Sequence, residues 1–287
     1  MSDVHGRLVV LGATGFVGSH VVDKARLAGW DVVAVSSRDI DLAASTGGLQ
    51  LAAILQDGDT IVHSAAVVPS RNAAEVSRNL LMTQALVDAT ADVLVEQLVV
   101  ISTDAVYGSG SGVFSEQSAC APDSIYGAMA LAREMICASV ETPVQTIVRP
   151  VAVYGAGDTH NSYGPNRFAR QALSSGEIGL LGAGEATRDH VTVQDVAEVI
   201  IRVVAGRQAG TVNVASGQSI SFADLAVLVG SADGMSANVV SAGTELAPTF
   251  KTYDTSTLLR WFPDFMPTVA AMGVPRMVAT MRESETG

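Results

Sequence analysis

Tyr126 stands at the start of an apolar-periodic segment predicted to be helical over residues 126–140, just after the turn-like run Ala121, Pro122, Asp123, Ser124. A phenol on the first turn of a helix can give a proton to a developing alkoxide or, once ionised, take one from an alcohol; equally, it can be a packing residue. A second group of polar side chains, Ser102, Thr103 and Asp104, follows the apolar run Gln97–Ile101. Hydroxyls and a carboxylate at the carboxyl end of a central parallel strand lie where open α/β sheets place their chemistry. Asp104 is also suited to capping the loop that follows it.

These residues need a scaffold, and the beginning of the chain supplies it. Leu8, Val9, Val10 and Leu11 form a short, wholly apolar run, as expected of a strand buried on both faces. The run enters Gly12, Ala13, Thr14, Gly15, Phe16, Val17 and Gly18, then a helical pattern through Ala28 closed by Gly29. Strand, glycine-rich turn and helix together make a phosphate cradle. The glycines allow a tight turn and a close backbone approach, and the helix N-terminus offers free N–H groups. The next strand, Asp31–Val35, ends in Ser36, Ser37 and Arg38. An acid there would meet a ribose 2′-hydroxyl, whereas small hydroxyls and a guanidinium suit a 2′-phosphate, so NADP(H) is expected ahead of NAD(H). Arg38 also reads as a solvated charge or as a partner stacked on adenine. Asp41 and Leu42 are placed at the adenine pocket or at a helix cap. Ser64, Ala65 and Ala66, after the strand Thr60–His63, are small enough to let the backbone approach a cofactor. His63 reads as a structural strand-end histidine. Asn79 is the interior polar residue expected to face the site from a helix over 72–95.

Composition narrows the partners. The chain has 287 residues and a net charge of -12, which argues against nucleic acid or an anionic membrane as a partner. An anionic ligand must then be held by a few local arginines and by helix N-termini. Of seventeen basic residues only Lys24 and Lys251 are lysine. Cys120 and Cys137 fit neither a disulfide framework nor a metal-ligand spacing, so no metal and a reducing, cytoplasmic setting are expected. Residues 1–7 lack the pattern of a leader, and no apolar run reaches membrane-spanning length. The expected fold is α/β, a doubly wound parallel sheet over 1–155 with returns to the sheet from about 186–216. A smaller, loop-rich substrate lobe is expected over 156–287. Within it, the loop 160–168 carries Asn161, Asn166 and Arg167, suited to a polar ligand.

Taken in order, the motifs resemble the extended short-chain dehydrogenase/reductases, the NAD(P)-dependent epimerase/dehydratase family, with its Rossmann-type sheet. The resemblance rests on Gly12, Gly15 and Gly18, on Thr103 ahead of Val106, Tyr107 and Gly108, and on Tyr126, Gly127 and Glu134. It continues through Arg149 and Pro150 ahead of Val153, Tyr154 and Gly155, then Arg188, Asp189, His190 and Val191 with Asp195, and Asn213 to Gly217. It implies a nucleotide-diphosphate sugar as substrate, Thr103 on the substrate oxygen, Tyr126 as the proton-transfer group, and cofactor contacts from Ser102, Pro150 and Val153. It places Val68 and Asp104 at the substrate and Arg188 at its diphosphate. It also implies a homodimer formed through the helices beginning near Asn72 and Tyr126.

One position departs from the family pattern. The lysine expected four residues after the tyrosine is Ala130. Arg133, seven residues on, is about 10 Å further along the helix axis and is not expected to replace it. A nearby ammonium lowers a phenol pKa by ~1–3 units. Without it Tyr126 is expected near ~10, neutral at pH 7 and better suited to donating than to accepting. Reduction of a keto sugar is therefore the leading expectation. The alternatives are an epimerase with tightly held NAD and a dinucleotide-binding protein without turnover. Asp104 is followed by Ala105 where the family's dehydratases carry Glu, which disfavours dehydration.

Overall fold

The computed structural model describes residues 6–241, 243 and 247–286; residues 1–5, on which the reading of the amino terminus partly rests, lie outside them. The first half alternates strictly: β1 (Arg7–Leu11), α1 (Phe16–Leu27), β2 (Asp31–Val35), α2 (Gly47–Ala52), β3 (Thr60–His63), α3 (Ala73–Ala89) and β4 (Gln97–Ile101). A short strand β5 (Gly112–Phe114) precedes α4 (Ile125–Cys137) and β6 (Val144–Pro150). The second half runs β7 (Ala152–Tyr154), α5 (Pro165–Ser175), β8 (Glu177–Leu180), β9 (Thr187–Thr192), α6 (Val193–Ala205) and β10 (Gly210–Val214). It ends with β11 (Ser219–Ser221), α7 (Phe222–Gly230), β12 (Asn238–Ser241), β13 (Lys251–Tyr253), α8 (Ser256–Trp261) and α9 (Ala270–Thr286).

Six strands form one sheet in the order β10-β6-β4-β3-β1-β2, every neighbouring pair parallel. The run of apolar residues in β1 now has its cause. Leu8 and Val10 feed one core, packed with Val21, Ala25, Val196 and Ile200 from α1 and α6. Val9 and Leu11 feed the opposite core, with Leu51 of α2 and Leu86 of α3. A third core, around Phe168, Ile178, Leu225 and Val274, holds the carboxyl-terminal elements together. Strand order reverses between β1 and β3, and the crevice at their carboxyl ends is the place where such sheets take ligands.

Several element boundaries differ from expectation. Helix α3 stops at Ala89 and α4 at Cys137, short of 95 and 140, each running into a turn where a hydroxyl shares the last carbonyls with backbone N–H groups. Thr90 Oγ1 donates to the Leu86 and Val87 carbonyls, and Ser139 Oγ to that of Ile136. The carboxyl-terminal helix α9 spans 17 residues with Pro275 inside it. No helix among the described residues is long and apolar enough to cross a membrane.

Candidate active site

Helix α4 begins where Ser124 Oγ accepts from the Gly127 N–H at 3.1 Å. Gly127 lets that first turn lie directly on the Asp104–Tyr107 turn: a Cβ there would stand 2.4 Å from the Ala105 carbonyl oxygen and 3.0 Å from Pro122 Cβ. This contact carries Tyr126 to the end of β4, where its phenol lies by the Thr103 side chain. Burial pushes the phenol above its ordinary value; the Thr103 hydroxyl and the Arg133 charge pull it down, and the Asp104 charge adds to the rise. Thr103 Oγ1 also accepts from the Ala105 N–H at 3.2 Å.

Asp104 is held from a part of the chain far away in sequence. Its Oδ2 accepts from the Tyr253 hydroxyl and lies 3.6 Å from Lys251 Nζ, while its Oδ1 is 3.4 Å from Thr103 Oγ1. The route is β13, which pairs in parallel with β5 so that Lys251 stands opposite Gly112 and Tyr253 opposite Phe114. Lys251 is buried; its Nζ donates to the Gly108 carbonyl at 2.7 Å and lies 4.9 Å from the centre of the Phe114 ring. Burial lowers its pKa, against the pull of Asp104. The sequence holds a signal for this lysine: it is one of two, and it sits in a strand-like Lys-Thr-Tyr run.

Further along α4, Ala130 is buried and lines the same cavity as Tyr126 and Arg133. Arg133 is 4% exposed. Its Nη2 donates to the Ala65 carbonyl at 3.0 Å and its Nε to Thr83 Oγ1 at 3.3 Å. Glu134, the neighbouring acid, is engaged elsewhere: it receives Arg149 Nε and Nη2 at 2.9 and 2.6 Å and the Ser102 hydroxyl. Arg149 Nη1 in turn donates to Tyr107, which donates to Asn213. Glu134 and Arg149 thus tie α4 to β4, β6 and β10. Asp189 and Asp195 also brace the structure, the first accepting from the N–H groups of Ser216 and Gly217, the second from that of Thr268.

The residues of the crevice fit a dinucleotide. Gly12 has φ +83, and a Cβ there would be 2.7 Å from the Ala65 backbone, so only glycine lets the loop after β3 close on the turn before α1. Two adjoining cavities result. The larger, of about 640 Å³, contains Gly15, Phe16, Val17 and Gly18 at the α1 N-terminus, Ser64 and Ala66, Ser102 to Asp104, Tyr126, Pro150 and Val153. The smaller, of about 240 Å³, contains Gly12, Thr14, Ser36, Ser37, Asp41, Leu42 and Ala65. Ser64, Ala66 and Val67 wall both.

Two expected cofactor residues behave differently. Arg38 is exposed and lies outside both cavities; the cation in the smaller one is Arg78, whose Nη2 is 3.0 Å from Asp41 Oδ1. The Ser36 hydroxyl and N–H both donate to Asp39 Oδ2, at 2.7 and 2.9 Å. Asn79 faces neither cavity. Its side chain takes the Val67 N–H and donates to the Val67 and Glu75 carbonyls and to Ser70 Oγ. It shapes the loop that walls the cavities, because a buried amide must satisfy all of its hydrogen-bonding capacity.

On the substrate side, Val68 and Asp104 line the larger cavity. Asn166 lines it too, but its amide closes on the N–H and carbonyl of Gly155 at 3.1 and 2.7 Å. Asn161 and Arg167 are exposed outside it; Asn161 Oδ1 accepts from Arg170, and Arg167 stacks over Tyr163. Arg188 is half-buried outside the lining, its Nη1 donating to the Thr187 carbonyl at 2.9 Å. Residues not foreseen from the sequence are Tyr154 and His190, which line the cavity with the phenol oxygen and both ring nitrogens unpartnered. Burial raises the Tyr154 phenol and pushes His190 down to about 4.

Comparison with known proteins agrees with this geometry. The model of the NAD dependent epimerase/dehydratase family matches residues 8–215. An uncharacterised UDP-glucose epimerase of Bacillus subtilis is 24% identical, over 81% of this chain and 84% of its own. A dTDP-4-dehydro-6-deoxy-D-allose reductase of Streptomyces is 27% identical, over 78% of this chain and 80% of its own. The solved structure of MoeE5 in complex with UDP-glucose and NAD superposes with a TM-score of 0.85 at 26% identity, covering 98% of this chain and all of that one.

Proposed function

Because this chain belongs to the NAD dependent epimerase/dehydratase family, we propose that it is an oxidoreductase of nucleotide-diphosphate sugars whose favoured step is reduction of a keto group on the sugar. The carrying observation is the setting of Tyr126: a phenol against Thr103, with Ala130 four residues on, held above its ordinary value by burial. Even at the ordinary value of ~10, about one phenol in a thousand is ionised at pH 7, and the rise makes the base scarcer still. The acid is abundant. A bound nicotinamide dinucleotide supplies the hydride. Thr103 holds the keto oxygen, Tyr126 gives it a proton, and Asp104 stands beside them as an acid–base group that assists or replaces the phenol.

For the cofactor, the smaller cavity supports NAD(H) over the NADP(H) read from Ser36, Ser37 and Arg38. The Ser36 donors that a 2′-phosphate would need are engaged by the Asp39 carboxylate, and Arg38 lies outside the lining. A second reading, epimerisation on a retained NAD, is favoured by Asp104, a carboxylate held in the cavity by Tyr253 and Lys251 that works as a base without any phenolate.

The experiment is stopped-flow loss of nicotinamide absorbance with a panel of 4-keto sugar nucleotides, beside Tyr126→Phe. Turnover that falls about 100-fold in the variant is the expected result. Release of NAD on denaturation, interconversion of UDP-sugars and no consumption of NADH would replace it with the epimerase. Tight dinucleotide binding without either reaction would leave a binding protein.

A further inference from the structure

Arg133 is a cation with no anion. It is buried, yet no carboxylate among the described residues forms an ion pair with it: Glu134 belongs to Arg149. Its hydrogen bonds are to a carbonyl and a hydroxyl, from Nη2 and Nε, and the described residues give Nη1 no acceptor. Guanidinium groups stay charged at every physiological pH, and buried charges are as a rule paired. Arg133 also lines the larger cavity, on the same helix as Tyr126 and beside Ala130, and it leans on Ala65, where the two cavities adjoin. A ligand with oxygen acceptors at this point would complete it.

We propose that Arg133 is the cationic residue of the dinucleotide site, its Nη1 taking the vicinal hydroxyls of the ribose next to the nicotinamide. The inference rests on the dinucleotide reading above. The N–H groups of the α1 N-terminus are the natural seat of the pyrophosphate, and Tyr126 marks the reacting end. Arg133 lies on the Tyr126 side of the Ser64–Val67 loop, which leaves it the ribose between those two points. Ala130 and Arg133 both line this cavity, so the cation that α4 presents to it stands two turns on from the phenol. The guanidinium holds the cofactor without producing a phenolate, since burial outweighs its pull on Tyr126.

The test is calorimetric binding of ADP, ADP-ribose and NADH to the wild type and to Arg133→Gln, with folding checked by urea unfolding. Arg133→Gln is expected to lose about 10–100-fold in affinity for NADH and for ADP-ribose while ADP stays within about twofold. Arg133→Lys, which keeps the charge but not the fork, is expected to lose affinity for NADH and ADP-ribose but not for ADP, by less than Arg133→Gln does, and it carries the test if the Gln variant does not fold. NADH affinity unchanged in Arg133→Gln overturns the assignment. So does an equal loss for all three ligands, which would move the contact to the pyrophosphate or make it structural. A loss in Arg133→Lys as large as in Arg133→Gln also overturns it. A wild type that binds none of the three would instead remove the dinucleotide reading itself, a result distinct from all of these.

Discussion

Lys251 Nζ and Asp104 Oδ2 lie 3.6 Å apart, although 147 residues separate them along the chain, because β13 runs beside β5 just after the Asp104 turn. The lysine holds a carboxylate of the larger cavity from outside its lining, and its ammonium also satisfies the Gly108 carbonyl. Lys251→Met keeps most of the volume and the contact with Phe114 but removes both polar interactions. Relief of the buried charge works in the other direction, yet an unsatisfied carbonyl and an unpaired carboxylate outweigh it. We expect a loss of about 1–3 kcal/mol in the urea midpoint analysis. A variant as stable as wild type would show that Tyr253 alone suffices to hold Asp104.

On the NAD(H) reading proposed above, cofactor preference turns on Asp39, which occupies the Ser36 donors. Hydrogen bonds from the Ser36 hydroxyl and N–H hold the Asp39 carboxyl below its ordinary value, so it is ionised at neutral pH. Asp39→Ala removes that charge and frees both donors. The ratio of NADPH to NADH affinity is expected to rise about five- to tenfold. Titration of both cofactors into the variant checks it, and an unchanged ratio would show that the smaller cavity does not read the 2′ position.

Two buried histidines predict acid lability. Burial pushes His190 down to about 4, and lowers His63 well below its ordinary value with the Arg133 charge adding to the effect. In the unfolded chain both titrate near ~6.5. The unfolded state therefore takes up protons that the folded state refuses, and stability present above that value is lost as pH falls from about 6.5 toward 4. Urea midpoints at about pH 7.5 and about pH 5 should differ for the wild type and differ less for His190→Phe. A pH-independent midpoint would mean that water or a side-chain rearrangement admits the charged rings.

Restoring the family's lysine is not a simple gain. Ala130 is 2% exposed, and a lysine there would press an ammonium against the Arg133 guanidinium. Ala130→Lys alone should destabilise by about 1–3 kcal/mol. Combined with Arg133→Ala, which removes the like charge but also the bond to Ala65, it should recover part of that loss and raise the oxidising rate more than the reducing one, because the ammonium favours the phenolate. Rates in both directions decide the matter. Equal gains would show that the cation at this place matters for seating the cofactor and not for the proton.

The legible parts of this protein are those written in short stretches. The apolar β1, the glycine turn and the polar residues after β4 each declare themselves within a dozen positions, and they gave the sheet and the Thr103–Tyr126 pair. What stayed hidden depends on long side chains and distant pairings. Helical rise places the Arg133 Cα about 10 Å along the axis from Tyr126 but says nothing of its guanidinium, and the side chain lines the same cavity. Lys251 and Tyr253 reach Asp104 only through a strand pairing that nothing local announces. Asn79 was conspicuous as a polar residue in an apolar helix face, but the sequence does not say whether such an amide serves a ligand or, as here, a loop. Arg38 is marked by its position after the second strand, but its side chain lies outside both cavities, and the Ser36 donors are engaged by Asp39, one residue on from Arg38.

Val67 is gripped by Asn79 through both its backbone groups, Ala65 by Arg133, and Ser64 by the Leu11 carbonyl. The partition between the two cavities is thus anchored to β1, α3 and α4 at once. It behaves as a fixed spacer, and the separation between the adenine end and the reacting end is a length dictated by the stacking of those three elements. Any change that slides α3 moves the walls of both compartments together, so a substitution deep in the adenine side will register at Tyr126 without touching it.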